Sequence, residues 1–202
     1  MSKRRAHSSI RFAVFFFLAS TVFPSLSRAQ VPVFKIMKED SSVKFSVKAS
    51  VAINGTFDKW DAGLTFTSTD VTTGVLDIKV QADSINTGSG MKNDKLKGKD
   101  FFDVKETPLI TFLSKKIVQT GPHTYDVQGD FTIRGVSKPE TLTLTVSGEG
   151  TGSGEVKGTT AFNRMDYGMT ENIPFVKIAD TVEVTVDLKG KRVSGPPLNF
   201  KQ

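Results

Sequence analysis

The chain has 202 residues, of which 27 are Lys or Arg, 21 are Asp or Glu and none is Cys. The lack of Cys excludes disulfide-stapled folds and thiolate metal sites. The formal net charge of +6 would suit an anionic partner, so its distribution along the chain decides which partners the composition supports.

The first 29 residues are organised like a secretory signal peptide. Basic residues in 1–11 precede an apolar run at 12–23, and Ser27-Arg28-Ala29 supplies the small residues that a signal peptidase reads. The apolar run is much shorter than the roughly 20 residues of a membrane-spanning helix, which disfavours the alternative of a membrane anchor. We therefore expect cleavage after Ala29 and a periplasmic or secreted mature protein.

Removal of residues 1–29 changes the meaning of the charge. It takes away five basic residues and no acidic one, so that 22 basic and 21 acidic residues remain and the net charge falls to +1. Nucleic-acid binding then has no support in the composition. The remaining residues suffice for one domain with its own core. We predict this domain at 30–192 and a flexible tail at 193–202.

Alternating apolar and polar residues predict strands along most of the mature chain. The pattern is clearest at 42–53, where Val43, Phe45 and Val47 alternate with Ser and Lys. A short strand is predicted before it, at 33–37. Further strands are predicted at 60–68, 74–85, 108–118, 125–134, 140–147, 155–164 and 181–189. Only in 108–118 does the pattern leave open which residues point inward.

Short turns containing glycine, such as Asn54-Gly55, separate these segments and favour antiparallel pairing. Two segments lack alternation: 92–104, which fits a short helix or an irregular turn, and 163–179, a longer connection. An antiparallel sheet of this kind closes most simply into an up-and-down barrel, and about eight strands enclose one apolar ligand, as in lipocalins. A two-sheet sandwich remains the alternative.

The sequence offers few groups for catalysis. His123 lies in a predicted turn and the only other His is His7, so no nucleophile–base pair is recognisable. The carboxylate pairs Asp58/Asp61 and Asp100/Asp103 fit turns and solvated faces. We therefore predict a non-enzymatic protein without cofactor or metal.

Five segments carry a resemblance to a known family: GTFDKWDAGLTF (55–66), DSINTG (83–88), LKGKDFFDVKETPLITFLS (96–114), GDFTIRGVSKPETLTL (129–144) and FNRMDYGM (162–169). With them the chain resembles the YceI-like family of exported lipid-binding proteins over about 34–192. The resemblance implies an extended eight-stranded lipocalin-like antiparallel barrel with one short helix. It also implies a periplasmic location and a long-chain isoprenoid or related amphiphile inside the barrel. Relatives often carry His where this chain has Lys95, which leaves the headgroup contacts open.

The predicted ligand contacts are apolar residues on inward strand faces and two arginines near strand ends. They are Phe45, Val47, Val51, Phe66, Leu76, Ile78, Val80, Phe112, Phe131, Ile133, Leu142, Leu144, Phe162, Tyr167, Phe175 and Val184, with Arg134 and Arg164. The arginines, with Asp166, would form a polar collar around a lipid headgroup. The alternative is an Arg–Asp pair that ties a loop to the rim.

The sequence thus predicts a protein that sequesters or carries a polyprenyl or quinone-like lipid, without nucleic-acid binding or stable membrane insertion. The alternative is a non-catalytic envelope scaffold with a solid barrel core. A monomer and a homodimer both remain open.

Overall fold

The computed structural model describes residues 30–50, 52–172 and 177–200. Eleven strand segments form one sheet: β1 (Val33–Ile36), β2 (Ser42–Ala49), β3 (Ile53–Phe57), β4 (Trp60–Thr65), β5 (Val75–Gln81), β6 (Ile85–Asn86), β7 (Leu109–Gln119), β8 (Thr124–Ile133), β9 (Val136–Ser147), β10 (Ser153–Asn163) and β11 (Ile178–Ser194). The α-helix α1 (Gly90–Lys97) follows β6. All ladders between these strands are antiparallel.

The strand pairing closes the sheet into a ring. β3 and β4 are two halves of a long strand, and both pair with the strand made of β6 and β5, with Phe57 opposite Ile85 and Trp60 opposite Val80. β1 and β2 both pair with β11 in the same way. From β5 the neighbours run through β7, β8, β9, β10 and β11 to β2 and β3, so the segments occupy eight positions.

The predicted all-β, lipocalin-like antiparallel barrel with a short helix is confirmed. The number of strands differs from the predicted eight, because three of the eight positions are occupied by two segments each. At the interruptions of residues 58–59 and 82–84 the inward positions change parity, from Phe57 to Trp60 and from Ala82 to Ile85, so the two paired strands shift together.

The interior is built from the inward residues of every long strand. In β2, Val43, Phe45 and Val47 are buried and Lys44 and Lys48 are exposed, as the alternation predicts. Alternation also runs along the other long strands except at a bulge in β7 and a register shift in β11, and the buried side chains form one continuous apolar cluster. Because burial of apolar surface is the main favourable term in folding, this cluster is what stabilises the barrel.

A bulge resolves the ambiguous facing of 108–118. The register of β7 against β8 shifts between Ser114 and Lys116, so that Lys115 and Lys116 are both exposed while Ser114 and Ile117 are buried. The Oγ of buried Ser114 accepts a hydrogen bond of 2.8 Å from the backbone N–H of Leu76, just beyond the end of the β5–β7 ladder.

The two ends of the barrel are built differently. One end, which we call the helix end, carries α1 and the 3₁₀ turn Arg164–Tyr167. The other, the tail end, carries the loop Gly148–Gly152 and residues 195–200, where a loose tail is predicted. There Asn199 donates from its backbone N–H to the Thr69 carbonyl oxygen at 2.8 Å, and Phe200 packs against the core.

Candidate ligand-binding cavities

Three apolar cavities lie in a row inside the barrel. The tail-end cavity is about 110 Å³, the middle cavity about 70 Å³ and the helix-end cavity about 40 Å³. Phe45, Phe162 and Val182 line both the middle and the helix-end cavities. One layer of side chains separates the tail-end cavity from the middle cavity, because Leu144 lines the first and Leu142, the next inward residue of β9, lines the second.

The size of these cavities limits what they hold without rearrangement. A cavity of about 150 Å³ holds a benzene ring, so the tail-end cavity is close to the size of one isoprene unit. A long chain therefore fits only when the side-chain layers between the cavities shift. The interior is neither solid nor an open tunnel, and its lining of Phe, Leu, Ile and Val fits an apolar ligand.

Most of the predicted apolar contacts line these cavities. Phe66, Leu76 and Leu144 line the tail-end cavity, and Val47 lines the helix-end cavity. The middle cavity is lined by Phe45, Ile78, Val80, Phe112, Phe131, Ile133, Leu142, Phe162 and Val184. Val51 and Phe175 lie outside the described residues. Contact of any of these residues with a ligand stays a prediction.

Several cavity residues were not among the predicted contacts. At the tail end these are Phe34, Leu64, Tyr125, Glu149, Leu188, Leu198 and Phe200, and next to α1 they are Phe101 and Phe102. Alternation with Val127 in β8 and with Val186 in β11 marks Tyr125 and Leu188 as inward positions. No period marks Leu198 or Phe200, whose position depends on contacts made by a segment without secondary structure.

Arg164 is buried at the helix end, with 4% of its surface exposed. Its Nε donates to the Ala179 carbonyl oxygen at 3.2 Å, and its Nη2 forms an ion pair of 3.1 Å with Asp180. Further acceptors are the carbonyl oxygens of Met169 and Glu171 and the side-chain oxygen of Asn172. These contacts fit the alternative role, in which an Arg–Asp pair ties a loop to the rim, with Asp180 rather than Asp166 as the acid.

Arg134 fixes two loops at the same end. With Gly135 it makes the two-residue turn between β8 and β9, and both have positive φ angles, of 53° and 72°. Its guanidinium donates to the carbonyl oxygens of Gly168 at 2.5 Å and of Lys99 at 2.9 Å. Arg134 therefore connects the segment after α1 to the 3₁₀ turn, and its contact with a headgroup stays a prediction.

Tyr167 fills a seam in the barrel wall. The β9–β10 ladder stops at Thr143–Thr159, although both strands continue past it. The Tyr167 ring packs edge-on against Phe131 and Phe162, with centroids 5.8 and 5.2 Å away. Its Oη donates to Glu140 at 3.3 Å, and burial together with the charge of Glu140 raises the pKa of Tyr167 far above its ordinary value. Tyr167 lines none of the three cavities.

Tyr125 and Glu149 both line the apolar tail-end cavity and carry polar atoms that are unpaired within the ranges that the structure describes. Tyr125 is 1% exposed, and its Oη has no hydrogen-bond partner in the described part of the chain. One oxygen of Glu149, Oε2, lies 3.0 Å from His123 Nδ1, while the other, Oε1, is buried and unpaired among the described residues. Burial raises the pKa of Tyr125, and the Glu149 charge adds to this effect.

Lys95, at the position where relatives often carry His, contacts its own neighbours. Its Nζ lies 2.7 Å from Asp100 and 5.7 Å from the centre of the Phe101 ring. The hydrogen bond from Lys95 lowers the pKa of Asp100. Within residues 30–50, 52–172 and 177–200, no group of three or more His, Cys, Asp and Glu is placed to hold a metal ion. No helix in that part of the chain has the length and apolar character needed to cross a membrane.

Comparison with curated proteins identifies relatives along most of the chain. A UPF0312 protein of Pseudomonas fluorescens (strain SBW25) is 30% identical over 179 residues, which is 84% of this chain and 92% of the relative. A UPF0312 protein of Pseudomonas putida (strain W619) is 32% identical over 158 residues, which is 74% of this chain and 82% of the relative.

Solved structures share the fold. BcnA of Burkholderia cenocepacia matches with a TM-score of 0.70 and 28% identity, over 77% of this chain and 99% of that protein. A polyisoprenoid binding domain from Saccharophagus degradans matches with a TM-score of 0.63 over 80% of this chain and 99% of that domain, and its 15% identity supports the fold alone. The model of the YceI-like domain matches residues 34–190. The chain therefore belongs to the YceI-like family.

Proposed function

We propose that this protein is an exported binding protein that sequesters or carries a long-chain isoprenoid, or a related amphiphile, inside its barrel. The observation that carries the proposal is the row of three apolar cavities within a closed ring of strands. A ligand with a long apolar chain and a small polar head matches this interior, because nearly all of the lining is apolar.

Desolvation is the proposed source of affinity. Burial of apolar surface contributes roughly 25 cal/mol per Å², so a prenyl chain supplies ample gross binding free energy. Part of that free energy is used to shift the side-chain layers between the cavities. Binding transfers the lipid chain into the apolar interior of the barrel, and no covalent bond forms or breaks.

Two further observations support the ligand class and the location. One neighbour with the same fold is described as a polyisoprenoid binding domain. The basic and apolar segments of residues 1–29 have the pattern of an export signal, which supports a periplasmic or secreted location.

Mass spectrometry of an organic-solvent extract of the purified protein tests the proposal. The extract should contain a prenyl lipid in near-stoichiometric amount. Val184→Phe, which fills the middle cavity, should lower its recovery. Thr185→Phe places the same ring on the outer face and should leave recovery unchanged, because residues 184 and 185 point to opposite sides of β11. A folded protein that carries no lipid and takes up no added prenyl lipid contradicts the proposal.

The second candidate is a non-catalytic envelope scaffold with a filled barrel. The side-chain layer between the tail-end and middle cavities favours it, since that layer already occupies the path of a long ligand. For such a scaffold, Val184→Phe would leave binding to a protein partner intact and would raise the melting temperature by filling a void that has no ligand.

A further inference from the structure

The tail-end cavity combines an apolar wall with two unpaired polar atoms. Tyr125 Oη and Glu149 Oε1 are buried without a partner among the described residues, and both residues line this cavity. Tyr167, the other tyrosine of the chain, is equally buried but donates to Glu140. An unpaired phenol is therefore not a general property of buried tyrosines in this protein.

Both residues are anchored away from the cavity. Tyr125 lies in β8 between Gln119 of β7 and Leu144 of β9, so the ladders on both sides fix its backbone. Glu149 is oriented by His123, which lies 3.0 Å from its Oε2. Folded proteins rarely leave buried polar atoms unpaired, so two such atoms in one cavity indicate a missing hydrogen-bonding group.

The chemistry of the two atoms specifies that group. The phenol of Tyr125 can donate a hydrogen bond, whereas the carboxylate of Glu149 can only accept one. A hydroxyl group accepts from the first and donates to the second. A quinone carbonyl accepts only and would leave Glu149 unpaired, and a phosphate would be repelled by the Glu149 charge. Arg192 also lines the cavity and keeps its charge, although its Nη1 donates to the Gly195 carbonyl oxygen at 2.5 Å, so a phosphate ligand belongs in the test.

We propose that the tail-end cavity is the headgroup site and that it selects a neutral prenyl alcohol, whose hydroxyl bridges Tyr125 and Glu149. The prenyl chain then extends toward the middle cavity. Pro197, Leu198 and Phe200 line the same cavity and cover the hydroxyl. The inference rests on the proposed lipid-binding function and adds to it the identity and the position of the headgroup.

Calorimetric titration of the lipid-free chain with three ligands of one chain length tests this proposal. The ligands are geranylgeraniol, its methyl ether and geranylgeranyl phosphate. We expect the alcohol to bind about tenfold more tightly than either of the others, because only the alcohol makes both hydrogen bonds. Glu149→Leu, which removes the acceptor, should bring the alcohol-to-ether ratio close to one, because only the alcohol donates to Glu149. Tyr125→Phe should weaken binding of the alcohol and of the ether to a similar extent and keep the ratio, because both oxygens accept from the phenol.

Tyr167→Phe is the matched control, because it removes a phenol hydroxyl at the other end of the barrel and should preserve the affinities for both the alcohol and the ether. Tyr125→Phe should also leave the melting temperature of the ligand-free protein unchanged or raise it, since the lost hydroxyl has no partner there. Equal affinities for all three ligands, or tightest binding of the phosphate, would overturn the headgroup assignment and leave the carrier function standing. Failure of all three to bind would overturn the carrier function as well.

Discussion

At the residue scale, the buried guanidinium of Arg164 is predicted to stabilise the fold. Its guanidinium is surrounded by loop carbonyls and Asp180, so Arg164→Ala should lower the free energy of unfolding by about 3 kcal/mol. Arg164→Lys keeps the charge but loses the planar, forked guanidinium. Its free energy of unfolding should lie between those of the wild type and Arg164→Ala. Chemical denaturation measures the loss. Unchanged stability together with lost lipid binding would instead make Arg164 a headgroup ligand.

The raised pKa values of the two tyrosines, Tyr125 and Tyr167, determine how stability should change at alkaline pH. Burial raises the pKa of both above the ordinary value of 10.0. Because the pKa of each tyrosine is higher in the folded than in the unfolded chain, the unfolded chain ionises first as the pH rises. The buried phenols therefore contribute fully to the free energy of unfolding below pH 10, and this contribution is lost at higher pH. Phenolate absorbance should therefore appear only together with unfolding, followed by circular dichroism. Phenolate absorbance near pH 10 in a folded protein would contradict this expectation.

At the element scale, the seam between β9 and β10 depends on Tyr167. Its ring replaces the ladder that stops at Thr143–Thr159, so Tyr167→Ala should cost about 3–5 kcal/mol and Tyr167→Phe about 1 kcal/mol. Hydrogen exchange should accelerate locally, in residues 136–142 and 160–163, in the Ala variant. Uniform acceleration over the whole sheet would mean that the ring stabilises the core generally rather than the seam.

Elements with strict alternation were predictable from the sequence, and those that depend on distant contacts were not. The inward positions of β2 follow from period two alone, but the turn predicted at Asn54-Gly55 is wrong, because both residues lie within β3 and pair with β2. The bulge at Lys115 could not be located, because apolar residues near it occupy both odd and even positions and so do not mark one inward face. The partner of Arg164 was missed since Asp180 lies sixteen residues away, on the far side of a loop.

The same reasoning applies to the candidate site. The apolar lining could be predicted because it belongs to regular strands, whereas the polar atoms of the tail-end cavity could not. Tyr125 and Glu149 meet only when the β9–β10 loop folds back over the end of β8, and Leu198 reaches the cavity through the tail. Such convergence depends on tertiary structure and leaves no periodic signal in the sequence.

At the scale of the whole molecule, the barrel is a ring of strands with one seam, between β9 and β10, around an interior that is only partly filled. The cavities of about 110, 70 and 40 Å³ follow the barrel from the tail end to the helix end. A ligand that enters this row exchanges water for apolar side chains along its entire length. Affinity should then depend on ligand length, whereas an outer binding surface would have no such dependence.

Titration of the lipid-free protein with prenyl alcohols that differ by one isoprene unit tests this central claim most directly. The headgroup is constant, so differences in affinity report burial of the chain alone. At about 0.8 kcal/mol per buried methylene, each added unit should tighten binding at least tenfold until the row of cavities is filled. In Val184→Phe the affinity should stop increasing at a shorter chain length. In Thr185→Phe it should stop increasing at the same chain length as in the wild type. Affinity that does not change with chain length, in a protein that remains folded, would contradict a lipid-filled barrel.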